Sequence, residues 1–140
     1  MVLLLIALAS GLAGLALRDG REDRLEREAQ RLAALLEAGR AQARATGVAV
    51  RFELLGEGAR PDPAAPEARY RFVGLPANLL PPGQWLDPAV SARIDGATAL
   101  RLGPEPLIGA QRIVLSLGDR QTALATDGLA PFAVQAASAP

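Results

Sequence analysis

The sequence predicts an α+β protein: a long N-terminal helix, transmembrane in its first part and amphipathic in its second, packed on a small antiparallel β-sheet domain. Three observations predict it. The first seventeen residues, MVLLLIALASGLAGLAL, carry no charged side chain, whereas the next fourteen, RDGREDRLEREAQR, carry ten. From Leu25 onward apolar or small residues recur at helical spacing. After Thr46-Gly47 the apolar period falls to two and glycine- and proline-rich turns begin. The division expected is a transmembrane part at 1–17, an amphipathic helix at 18–46, a sheet domain at 47–135 and a loose tail at 136–140.

The opening stretch spans about 26 Å as a helix, slightly short of a hydrocarbon core of about 30 Å. It reads as a membrane anchor rather than a cleaved export signal. No positive segment precedes Val2, and cutting after Ala7-Leu8-Ala9 would leave Leu12–Leu17 on the product. Ala7 with Gly11, and Ser10 with Gly14, are small residues four apart, the spacing that lets one helix approach another closely in lipid. Ala7, Ser10, Gly11 and Gly14 are therefore the candidate helix-packing residues.

In the charged stretch Leu25, Ala29, Leu32, Leu36, Gly39 and Ala43 follow one another at four, three, four, three and four, which draws a single apolar stripe. Leu25, Leu32 and Leu36 are the expected anchors for the sheet domain. Asp23 with Arg27 and Arg24 with Glu28 are opposite charges at i,i+4, which suits the wet side of the helix. Asp19-Gly20-Arg21-Glu22 fits either a break followed by a capping box or a helix that runs through Gly20. Either way Leu3 to about Ala45 forms nearly one rod of about 65 Å. The charged stretch balances to zero, so it gives no membrane orientation.

Strands are expected at 48–55, where Val48, Val50, Phe52 and Leu54 share a face, and then at 69–73, 97–102, 111–117, 122–126 and 131–135. Gly56-Glu57-Gly58 and Pro61–Pro66 read as turn and loop, Gly118-Asp119 as a hairpin turn and Asp127-Gly128 as another turn. Residues 78–87, with Pro81, Pro82 and Trp85, read as an irregular connection that tucks the indole against the sheet. The helix stripe would then cover one sheet face.

Composition narrows the function. The 140 residues have zero net charge from fifteen Arg and fifteen acids, so nothing marks a nucleic-acid partner. There is no Cys, His or Lys. That removes thiol nucleophiles, Cys/His metal sites and the usual bases for Ser10, Ser91, Ser116 or Ser138. Glu53, Glu57 and Asp62 are scattered carboxylates beside glycine and proline, the ordinary composition of solvated loops. No enzyme activity, cofactor or metal is expected.

Taken together, VLLLIALASGLAGLAL, LEREAQRLAALLEAGRAQARATGVAVRFEL, YRFVGL and ATDGLAPFAV, in this order, resemble the minor pseudopilins of the type II secretion system, H type, with the type T pilus-assembly proteins as near relatives. The resemblance covers nearly the whole chain. It implies a pilin-like fold and a non-catalytic subunit of the periplasmic pseudopilus, which helps to export folded proteins across the outer membrane. It also implies a single-pass location in the bacterial inner membrane with the head in the periplasm. The implied partners are other pseudopilins, both the tip minor subunits and the major one, and inner-membrane lipid. Members of the family begin with a basic leader ending in Gly, followed by Phe-Thr-Leu-x-Glu, where prepilin peptidase cuts and methylates. Here no Phe precedes Phe52 and no Glu precedes Glu22. Either translation starts upstream of Met1 or the gene is degenerate; we expect the former, with prepilin peptidase a partner of that longer form only. The other readings are a type IV pilus minor pilin or assembly protein, and an exported soluble β-domain binding protein carrying an N-terminal signal.

Overall fold

The computed structural model describes residues 2–56, 63 and 66–135, with side chains described from residue 20 onward. The order is α1 (Val2–Thr46), β1 (Val50–Leu54), β2 (Tyr70–Val73), a short 3-10 turn (Ala77–Leu79), β3 (Ser91–Ile94), β4 (Ala99–Gly103), β5 (Gln111–Leu117), β6 (Arg120–Thr126) and β7 (Ala133–Gln135). The fold is α+β, and the strands form two antiparallel sheets. One is ordered β2-β1-β4 and the other β3-β5-β6-β7, and α1 lies across both.

The helix is continuous through Gly20, so Asp19–Glu22 forms no break. It stops at Gly47, whose φ of 70° is open to glycine and whose N–H closes the last turn on the Ala43 carbonyl at 2.8 Å. Leu25, Ala29, Leu32, Leu36, Gly39 and Ala43 are all buried. They meet Val50, Phe52, Phe72, Leu100 and Leu102 of the first sheet and Ile113, Leu115, Leu117 and Leu124 of the second in one core. Gly39 sets the closest approach. A Cβ there would stand 2.9 Å from Leu102 Cδ1 and 3.6 Å from Val50 Cγ1, so the absence of a side chain is what seats the helix on β1 and β4.

Several sequence expectations need correction. Val48 is half exposed and outside the ladder, because β1 starts only at Val50 after the Gly47 turn. The strands expected at 69–73 and 131–135 start one and two residues later, at Tyr70 and Ala133, and the one expected at 97–102 runs 99–103 instead. The strand expected from Thr122 begins at Arg120, since Gly118-Asp119 is a two-residue hairpin turn with Leu117 opposite Arg120 and Gly118 at φ 61°. Strand β3 has no counterpart in the sequence reading. Its residues alternate exposed and half-buried, and Ser91-Ala92-Arg93-Ile94 holds too few large apolar groups to show a period.

Two free sheet edges are covered. Gly83, at φ 77°, lays its carbonyl on the N–H groups of Arg69 and Tyr70 at 2.6 and 3.2 Å along the outer side of β2. Beside β4, the Gln111 side-chain amide accepts from Arg101 N–H at 2.6 Å and donates to Arg101 C=O at 2.8 Å, standing in for a peptide group of a further strand. Trp85 is buried on Tyr70, ring centres 4.7 Å apart, at the end of an aromatic run through Phe52 and Phe72.

Candidate functional site

The surface the sequence singles out is the helix, and it divides lengthwise. Ala7, Ser10, Gly11 and Gly14 lie on α1, and their side chains fall outside the described residues, as does the side-chain environment of the expected transmembrane part at 1–17. Among the residues whose side chains are described, from residue 20 onward, no helix is long and apolar enough to cross a membrane. Glu57, Asp62, Ser138 and the tail at 136–140 also fall outside the described residues. Leu25 is the first buried side chain along the described part of the helix, and Leu25, Leu32 and Leu36 are each no more than 2% exposed.

Two acid-base pairs flank this stripe. At about 100° per residue, Glu28 and Arg40 lie about 60° to either side of it, while Arg31 and Glu37 lie about 60° further out on the same two flanks. Glu28 is 1% exposed and Arg40 3%. Their partners sit three residues away in opposite directions and remain partly wet. Glu28 therefore does not occupy the wet side, and it pairs with Arg31 at 2.8 Å rather than with Arg24. Arg24 instead reaches Asp87 at 3.2 Å, and Asp23 and Arg27 form no ion pair among the described residues. The reason is the head: Asp87 and the 84–86 backbone offer Arg24 and Glu28 partners that cross-link helix to domain.

On the first flank, Glu28 Oε2 accepts the Leu86 N–H at 2.7 Å. Arg31 donates to the Gln84 carbonyl and to the Tyr70 hydroxyl, both at 3.3 Å. Burial pushes the Tyr70 phenol up from its ordinary pKa, against the opposing pull of Arg31. The connection that carries Trp85 is thus bolted to the helix at Glu28 and Arg31.

On the second flank, Arg40 donates to the carbonyls of Ala130 at 3.0 Å, Gly128 at 3.4 Å and Leu129 at 3.5 Å, as well as to Glu37. Glu37 in turn accepts the Phe132 N–H at 2.9 Å. The turn itself is closed by Asp127 Oδ1, which accepts the N–H groups of Ala130 and Leu129 and is held below the usual carboxylate range by them. Gly128, at φ 101°, allows the turn to press on Gly109, where a Cβ would meet the Gly109 nitrogen at 2.7 Å. The stretch ATDGLAPFAV is therefore a lock on the helix.

Nearer the N-terminus, Arg21 bonds Asp119 of the β5–β6 turn at 3.2 Å, and Glu22 pairs with Arg120 at 2.9 Å. Each lock also presents an exposed leucine, Leu86 at 63% and Leu129 at 68%. Among the described residues no three possible metal ligands come together. Glu53, one of the scattered carboxylates, is engaged by Arg71 at 2.8 Å and Arg51 at 3.5 Å. The chain matches no family model, no curated protein and no solved structure. What the arrangement does chemically is hold: it fixes a small domain to one helix by apolar burial and by hydrogen bonds to backbone groups that helix and sheet leave unpaired.

The sequence reading missed Glu28 and Arg40. The signal was available, since both border the buried stripe on the helix, where a charge brought under the sheets needs a partner.

Proposed function

We propose that this chain is a non-catalytic, pilin-like minor pseudopilin subunit of a type II secretion pseudopilus, anchored in the bacterial inner membrane by residues 1–17 with the head in the periplasm. Its partners are other pseudopilins and lipid. The observation that carries the reading is the division of one continuous helix. From Leu25 to Ala43 its apolar stripe is buried under the chain's own sheets. Along residues 2–17 it carries no charged side chain, a pattern suited to lipid or to neighbouring helices rather than to a one-faced contact with a sheet. A stem fastened to its head by a stripe and two polar locks keeps that head in a fixed attitude while the root exchanges lipid for protein neighbours.

The chain has no cysteine, so Gly11→Cys or Ala7→Cys supplies a sole thiol. Oxidation of membranes holding these variants should give a disulfide-linked species with a co-expressed pseudopilin carrying the matching cysteine, and the protein should resist alkaline extraction. A chain that leaves the membrane in alkali and stays monomeric on oxidation would remove the proposal.

A further inference from the structure

The outward face of the β2-β1-β4 sheet carries an arrangement that the stem-and-head reading does not use. Arg51 on β1 stands directly opposite Arg101 on β4 in the antiparallel register, and both side chains point away from the core. Like charges facing each other across strands weaken a sheet. The nearest strand carboxylate does not relieve Arg101: Glu53 is aligned with Ala99 and is already engaged by Arg71 and Arg51. Arg101 has no ion-pair partner among the described residues, and its backbone is held on both sides by the Gln111 amide.

The two guanidiniums line a hollow of about 410 Å³ whose other walls include Thr98, Glu105 and the small residues Ala97, Ala99 and Gly103. Glu53 holds Arg51 from beside the hollow and Glu105 stands in its wall, so among the described residues Arg101 is the guanidinium without an ion-pair partner. Planar guanidinium forks bind oxyanions through paired N–H groups, and a like-charge pair compensated on one side only, at Arg51, points to function at the other. We propose that this hollow binds a small multivalent oxyanion, a phosphate- or carboxylate-bearing molecule, bridging Arg51 and Arg101 with the Thr98 hydroxyl beside it. The site does not depend on the membrane reading.

The test is a titration of the full chain in a non-ionic detergent with inorganic phosphate, and separately with citrate, at ionic strength held constant with sodium chloride. It is followed through the backbone amide resonances. Saturable shifts confined to Arg51, Thr98, Arg101 and Gly103 are expected. Arg101→Gln should weaken binding by about tenfold or more and leave the rest of the spectrum in place. A stronger response to phosphate assigns phosphate chemistry, and a stronger response to citrate assigns carboxylate chemistry. Absence of a saturable shift with both anions, or equal binding by Arg101→Gln, would overturn the proposal.

Discussion

The two locks on the helix have the same i,i+3 spacing and the opposite charge inside. At Glu28–Arg31 the acid is buried and the base partly wet, and at Glu37–Arg40 the base is buried and the acid partly wet. The difference follows from what each must grip. The 84–86 connection offers an unpaired N–H at Leu86, which needs an acceptor. The 128–130 turn aims three carbonyls at the helix, and although Gly128 also accepts the Ile108 N–H and Ala130 the Thr126 hydroxyl, reaching all three takes a donor with several N–H groups. The kind of backbone group turned toward the helix, donor or acceptor, thus decides which charge goes inside, and the helix supplies it from one flank or the other.

The contrast breaks most visibly at Arg40. Arg40→Met should cost about 3–5 kcal/mol in urea unfolding, because Glu37 and three carbonyls lose a shared donor in a buried place. Leu36→Ala, which removes the filling between the locks without touching either, should cost about 2–5 kcal/mol. Glu28→Gln keeps an oxygen for the Leu86 N–H but gives up the charge opposite Arg31, so a loss of about 1–3 kcal/mol is expected. Equal losses at Arg40→Met and Glu28→Gln would contradict this ordering. Arg24→Gln, at a pair whose arginine is half exposed, should change stability by less than about 1 kcal/mol.

pH sharpens the same comparison. The backbone N–H groups at Asp127 depress its folded pKa, so its contribution is present above the ordinary value of 3.8 and is lost as pH falls through the lower folded value. Asp127→Asn should lower the neutral stability by this contribution and flatten the acid limb of the profile, since the variant has nothing left to lose there. On the other flank, the raised pKa of Tyr70 means that the fold favours the neutral phenol. That contribution is intact below 10.0 and is lost as pH climbs through the higher folded value. Tyr70 is the sole tyrosine, so an absorbance titration reads it directly and should show ionisation only above 10.0 while the protein stays folded.

The stripe was legible because Leu25, Leu32 and Leu36 obey a period that burial alone imposes, and β5 was legible because Ile113, Leu115 and Leu117 alternate. Strand β3 was not, since Ser91 and Arg93 face water and Ala92 adds little apolar contrast. Glu28 and Arg40 were hidden for a different reason. A charge is assigned to solvent by default, and the partners that reverse the assignment, Leu86 N–H and the carbonyls of 128–130, lie 58 and about 90 residues away along the chain. The splitting of the strands into two sheets was equally remote, because a strand's own period does not say which strand lies beside it.

Amide hydrogen exchange of the full chain in lipid vesicles tests the central claim, one continuous stem divided into a head-locked part and a lipid-seated root. Strong protection is predicted from Leu25 to Ala43 whether or not lipid is present, with protection of 2–17 that appears only when lipid is added. Free exchange across 2–17 in vesicles, with the 25–43 amides still protected, would contradict it.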